Sequence, residues 1–100
     1  MIIFSPFNKQ PWEEETIALE WSARLASGDS LSSGDIKCYD ISDDSDVTST
    51  LIDSTAISGT QLYLKVKGGD DGGVYKVEMK MTTSNGDKKE GEIFVIVKEE

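Results

Sequence analysis

The sequence contains no histidine and only one cysteine. Without histidine the chain lacks the base of Ser-His-Asp and Cys-His triads, the usual zinc ligand and a side chain that titrates near neutral pH. A single cysteine, Cys38, forms no disulfide within the chain, so we expect packing alone to stabilise the fold and Cys38 to lie in the core. We therefore predict that the protein is not an enzyme and has no catalytic residue.

Long apolar runs are also missing. The longest is Ile93–Val97, five residues, whereas a membrane helix needs about 20. The start of the chain has no basic segment, and its first apolar run, Met1–Phe4, is too short for a signal peptide. We expect no membrane contact, no export signal and a soluble protein that is made in the cytoplasm.

Positive charge is scarce: ten Lys and Arg stand against nineteen Asp and Glu, which gives a net charge of −9. Residues 1–60 hold three basic side chains and eleven carboxylates. Nucleic-acid backbones are bound by neutralising their phosphates with Lys and Arg, so this balance argues against DNA or RNA as a partner. It favours a protein surface that carries Lys and Arg.

Strict alternation of apolar and polar residues is what the sequence does contain. From Tyr75 to Met81 every second residue is apolar, which predicts a half-buried strand. Asn85-Gly86 follows, a pair suited to the positive φ angles of a tight hairpin turn. The β-branched run Ile93–Val97 then predicts a partner strand, so the chain should end in a β-hairpin.

Earlier segments show the same pattern more briefly. Strands are predicted over 15–22, 36–41, 50–55 and 61–67, with a short helical corner at 23–26, an exposed crossing at 29–35 and a glycine-rich loop at 68–73. Six or seven short strands without an amphipathic helix predict an all-β, antiparallel two-sheet immunoglobulin-like sandwich over residues 13–100. Its predicted core is Ile17, Leu19, Trp21, Leu62, Leu64, Val66, Tyr75, Val77, Met79 and Ile93, with Val95 or Val97.

Tyr75 occupies a position of special interest within this fold. It begins the penultimate strand, two residues before Val77. Immunoglobulin-like sandwiches place there a corner tyrosine whose hydroxyl bonds back to the main chain. The alternative is that Tyr75 is simply one more core aromatic residue.

Residues 1–12 form a separate segment, since Pro6 and Pro11 both disfavour the centre of a sheet. We interpret it as an extended N-terminal arm. It is rich in large apolar groups, which need a surface to cover them. The arm either folds along its own sandwich as an edge strand or docks on another chain, and in the second case Phe4, Phe7 and Trp12 are the expected contact residues.

Two acidic clusters invite comparison with metal sites. Asp40, Asp43, Asp44 and Asp46 lie within seven residues, but they lack the central Gly and distal Glu of the known calcium loop. Asp70 and Asp71 lie in a glycine-rich loop. We assign no metal and no cofactor, and we keep a calcium- or carbohydrate-binding module as the alternative function.

Several short motifs carry a family resemblance. They are Ile17-x-Leu19-x-Trp21-Ser22-Ala23-x-Leu25, Gly28-Asp29-Ser30-Leu31, Gly68-Gly69, Gly72-x-x-Tyr75-x-Val77 and Thr82-Thr83-Ser84-Asn85-Gly86. Together they resemble small immunoglobulin-like virion proteins of tailed bacteriophages and prophages, described as fiber–tail adaptor-like. The resemblance implies a structural role in the tail, neck or fiber attachment, with other virion proteins or further copies of the chain as partners. No site residue is carried over from it.

Overall fold

Two β-sheets packed face to face make up the computed structural model, which describes residues 1–100. The strands are β1 (Ile2–Ile3), β2 (Phe7–Lys9), β3 (Glu15–Glu20), β4 (Leu31–Asp40), β5 (Ser45–Asp46), β6 (Ile52–Ser58), β7 (Gln61–Val66), β8 (Val74–Thr83) and β9 (Lys88–Val97), with a 3₁₀ turn at Ser22–Arg24 and one short helix, α1 (Thr48–Leu51). The first sheet has the order β1-β9-β8-β4-β5, with β2 also on β9, and the second has the order β3-β7-β6. The predicted all-β sandwich is confirmed, and its strand order is that of an immunoglobulin domain.

The closing hairpin is β8 and β9, as predicted, but its turn differs from the expected one. Only Gly86 has a positive φ, at 89°, and Asn85 does not share it. The Gly86 N–H donates to the Thr83 carbonyl (2.9 Å), and the Thr83 N–H donates to the Asp87 carbonyl (2.8 Å). A three-residue loop that ends in a left-handed glycine therefore replaces the two-residue turn.

The core between the sheets contains sixteen buried residues. They are Leu19, Trp21, Leu31, Cys38, Leu51, Ile52, Leu62, Leu64, Val66, Tyr75, Val77, Met79, Met81, Ile93, Val95 and Val97. The predicted core is confirmed apart from Ile17, which is half-buried because β3 is an edge strand. Burial, reinforced by Asp46 and Asp40, raises the pKa of the Cys38 thiol to about 12.

Two segments depart from the prediction. The expected exposed crossing at 29–35 is already strand from Leu31, because β4 pairs with β8 along its whole length. The expected strand at 50–55 begins only at Ile52 and is preceded by α1. The Thr48 side chain accounts for this helix, since its hydroxyl oxygen accepts the Cys38 N–H (2.8 Å) and fixes the chain against β4.

Tyr75 forms the predicted corner. Its hydroxyl oxygen accepts the N–H of Asp70 at 2.9 Å, five residues upstream, and its ring is buried. The bond attaches the glycine-rich loop 68–73 to the start of β8. The loop is therefore part of the rigid framework.

The arm runs parallel to β9 of its own chain. Ile2 of β1 pairs with Gly91 of β9, and Phe7 of β2 pairs with Val95 of β9. The two short strands β1 and β2 form the edge of the first sheet, and the chain turns at Pro11 and Trp12. The Phe4 N–H adds a bond to the Glu92 carbonyl (3.0 Å) between the two short strands.

Trp21 connects the second sheet to this edge. Its indole is fully buried, and the Phe4 ring lies 5.4 Å away at a tilt of 60°. A Cβ atom on Gly91 would lie 2.6 Å from the indole, so only glycine at that position lets the ring reach β9.

Asp29 ties the 29–31 crossing to the closing hairpin. Its Oδ1 accepts the N–H groups of Ser30 (2.8 Å) and Asn85 (3.1 Å). Burial raises the pKa of Asp29, but hydrogen bonds from the Thr83 hydroxyl and these N–H groups outweigh it and hold the pKa below its ordinary value. The Ser84 N–H donates to the Ser30 carbonyl (2.8 Å) and completes the junction.

Replacing Trp21 with Ala should lower the free energy of unfolding by about 3–5 kcal/mol, because a large fully buried side chain is lost. Urea denaturation followed by circular dichroism measures the change. Trp12→Ala is the matched control, since that indole is 92% exposed and its loss should leave stability nearly unchanged. A change below about 1 kcal/mol for Trp21→Ala would contradict the packing described.

Replacing Asp29 with Ala should destabilise the protein at pH 7, because two N–H groups lose their acceptor. The folded-state pKa is lowered, so this contribution is present above the unfolded value of about 3.9 and is lost as the pH falls through the folded value. Denaturation at pH 7 and at pH 3 should show the wild-type advantage shrinking at the lower pH. Asp35→Ala, which removes an exposed carboxylate, should show no such pattern, and equal advantages at both pH values would contradict the role of Asp29.

Candidate interaction surface

The three predicted contact residues do not lie together. Phe4 and Phe7 are half-buried and pack against the core of their own chain. Trp12 lies beyond the end of β2, with 92% of its surface exposed. Of the three, only Trp12 presents a free aromatic ring.

Trp12 is held on a tight turn formed by Gln10–Glu13, here called the Trp12 turn. The Glu13 N–H donates to the Gln10 carbonyl (3.1 Å), and the Gln10 N–H donates to the Glu13 Oε1 (2.6 Å). Pro11 occupies the second position of the turn, where its fixed φ suits the geometry. The exposed ring is therefore carried by an ordered main chain.

Lys9 supports this turn through its ammonium group. The sequence analysis did not predict this role. Only 4% of its surface is exposed, and its Nζ donates to the carbonyls of Gln10 (2.8 Å), Pro11 (3.3 Å) and Gly68. Burial lowers the pKa of Lys9, while Glu13 and Glu14 partly raise it. The one available signal was its spacing from Phe7, which places both side chains on the same face of β2.

The Trp12 turn lies in the most acidic region of the molecule, here called the acidic pole. Three loops and the C-terminus meet at this end of the sandwich, because β2, β4 and β9 all end there. None of the pole's carboxylates forms an ion pair. The pole comprises eleven of them: Glu13, Glu14, Glu15, Asp40, Asp43, Asp44, Asp46, Asp70, Asp71, Glu99 and Glu100.

Three of the four aspartates of the 40–46 segment accept hydrogen bonds from residues two positions further along the chain. Oδ1 of Asp40, Asp43 and Asp46 accepts the N–H and the hydroxyl of Ser42, Ser45 and Thr48, respectively, at 2.6–3.0 Å. The hydroxyls and then the N–H groups lower the pKa of Asp43 and Asp46. Local turns thus orient these three carboxylates.

No three residues among Cys, Asp and Glu are grouped so as to hold a metal ion. Nor does any helix have the length and apolar character needed to cross a membrane.

These observations define the class of the protein as an immunoglobulin-like β-sandwich, with an ordered aromatic turn at an acidic end. Residues 9–96 match the Gp77 family, described as podophage GP4 fiber-tail adaptor protein gp77, and the chain belongs to this family. It is thus a structural component of the phage tail and of the virion, and the resemblance inferred from the sequence is confirmed. A comparison with curated proteins finds no match.

The structure gives the resemblance motifs a physical role. Gly28–Leu31 and Thr82–Gly86, far apart in the sequence, meet at the Asp29 junction. The Gly68 carbonyl accepts a hydrogen bond from the Lys9 ammonium group. The Tyr75 hydroxyl oxygen accepts one from the Asp70 N–H, in the loop that follows Gly68. These four motifs therefore make contacts at the two ends of the sandwich.

Replacing Lys9 with Met should keep the fold, because a similar volume fills the site, but should release the Trp12 turn. Hydrogen exchange at the Glu13 N–H should accelerate, since three carbonyls lose the donor that holds the turn in place. NMR measures this exchange at single residues. Lys98→Met is the matched control because Lys98 is exposed and forms no ion pair, and equal exchange in both variants would contradict the role of Lys9.

Proposed function

We propose that the chain works as a non-enzymatic adaptor that joins other virion proteins through protein–protein contacts, with the Trp12 turn as an anchor. The observation that carries this proposal is the ordered presentation of a fully exposed indole. Tryptophan is the residue type most enriched among side chains that dominate binding energy. An ordered turn also reduces the entropy lost when the ring docks.

The surroundings of Trp12 indicate the chemistry of its partner. A ring of this size needs an apolar pocket, and the acidic pole around it favours a rim of Lys and Arg. The same charge repels nucleic acid, so DNA and RNA are not expected partners. Phe4 and Phe7 contribute indirectly, because their packing holds the arm that leads to the turn.

The charge of the pole should affect the rate of association more than the final affinity. Exposed carboxylates raise the encounter rate with a basic surface, and salt screens them over about 10 Å. The chain would be made in the host cytoplasm and join its partners there as particles assemble. No cofactor enters this function.

The test is incorporation of Trp12→Ala into phage particles when the variant is the only copy supplied. Loss of a dominant anchor costs at least about 2 kcal/mol of binding, which corresponds to roughly a 30-fold loss of affinity. Quantitative immunoblotting of purified particles should show a marked loss of the variant. Incorporation equal to wild type would refute the proposal.

Tyr63→Ala serves as the matched control, because Tyr63 is a half-buried aromatic residue on the outer face of the other sheet. It should enter particles normally. Thermal unfolding of both variants must first show intact folds. A second pair, Glu13→Gln and Glu14→Gln, should slow association at low salt and lose this effect at high salt.

A further inference from the structure

The solvent face of the first sheet carries an apolar cluster that its own core does not explain. The cluster, here called the outer patch, consists of Tyr39, Val74, Phe94 and Ile96. All four side chains are half-buried, yet none belongs to the core or packs against it. Their neighbours in sequence, including Val95 and Val97, are the ones that point inward.

Strand pairing brings the outer patch together. Val74 lies directly opposite Ile96, while Lys76 lies between Phe94 on one side and Tyr39 on the other. An antiparallel sheet with a solvated face normally carries polar residues there. The continuous run Ile93–Val97 therefore supplies two apolar faces, of which the core uses one.

The charges on this face differ from those of the rest of the molecule. Alternation along β4, β8 and β9 places four lysines and four carboxylates on it: Lys37, Lys76, Lys80, Lys88, Asp35, Glu78, Glu90 and Glu92. Asp46 of β5, which lies opposite Tyr39, adds one carboxylate, so the face has a net charge of −1 and −8 of the total −9 lies elsewhere. Two copies of the chain therefore repel each other least where these faces meet.

We propose that the outer patch binds the outer patch of a second copy, forming a symmetric face-to-face dimer. A two-fold axis presents the same patch from both copies, as a self-complementary interface requires. The three strands β4, β8 and β9, ten residues long, lie about 4.8 Å apart and rise about 3.3 Å per residue, which gives a face of roughly 500 Å². Two such faces reach about 1,000 Å², the lower limit for a specific interface, which predicts a weak dimer.

The outer patch shares no residue with the Trp12 turn, although its Ile96 borders Gln10 and Glu13 of that turn. The dimer would carry two Trp12 turns, so an adaptor partner with two sites would be bound with higher avidity. The two proposals can therefore fail separately.

The test is sedimentation equilibrium of the full chain from about 10 µM to about 1 mM, a range that covers weak association. We expect the mass to rise towards that of two copies for the wild type and for Trp12→Ala. Phe94→Glu should remain monomeric, because it buries a charge at the centre of the patch. Tyr63→Glu, the matched change on the other sheet, should still dimerise.

Val74→Lys provides a second variant in case Phe94→Glu does not fold, and it should also remain monomeric. A wild-type chain that stays monomeric at about 1 mM would overturn the proposal, as would a Phe94→Glu dimer of wild-type affinity. Masses above two copies would exclude the symmetric arrangement. Loss of the dimer in Trp12→Ala alone would place the contact at the acidic pole and also overturn it.

Discussion

The packing of Trp21 between the sheets is the interaction on which the other parts of the structure depend. Trp21 directly follows β3 of the second sheet, and its indole reaches Gly91 in the first, with Phe4 of the arm against it. One side chain thus joins three elements that are distant in sequence. Because the arm is held here, β2 pairs with β9 as far as Lys9, with its register shifted by one residue from that of β1, and Lys9 in turn supports the turn that presents Trp12.

The two ends of the sandwich are stabilised by different chemistry. At one end Asp29 accepts main-chain donors from a neighbouring crossing and from the hairpin tip. At the other end Lys9 donates hydrogen bonds to main-chain carbonyls, and the Tyr75 hydroxyl oxygen accepts one from a main-chain N–H. Buried polar side chains therefore satisfy loop groups at both ends, where a sheet ladder is absent. Loops stabilised in this way keep their shape without disulfides or metals.

Alternation of residues was sufficient to predict the sandwich, because the faces of β7, β8 and β9 differ sharply in polarity. It was insufficient for the start of β4, where Ser32, Ser33 and Gly34 disfavour a strand and only pairing with β8 imposes one. It also could not locate α1, which depends on a contact between Thr48 and Cys38 across the fold. In a segment that is solvated on both sides, the intrinsic preference of its residues determines the secondary structure. In a segment that lies beside a fixed partner strand, pairing with that strand determines it.

The candidate surface was predicted only in part for a similar reason. The composition of the arm indicated that its aromatic residues must be buried against another surface. The sequence pattern alone does not say whether that surface belongs to the same chain or to another. Phe4 and Phe7 use the arm's own sheet, and Trp12 remains free because the turn directs it away. Burial of Lys9 contradicts the usual exposure of lysine, and it becomes understandable only when three carbonyls are seen to converge on its ammonium group.

The parallel pairing of the arm with β9 has a mechanical consequence. Ile2 pairs near the start of β9, and the C-terminus follows the end of the same strand, so the two chain ends leave the sandwich at opposite poles. Tension between the termini would slide the arm and β9 past each other and load their hydrogen bonds together, instead of opening them one at a time. Resistance to such a pull depends on the rate of unfolding under force. A tail component built in this way would withstand stretching along its long axis better than peeling from its side.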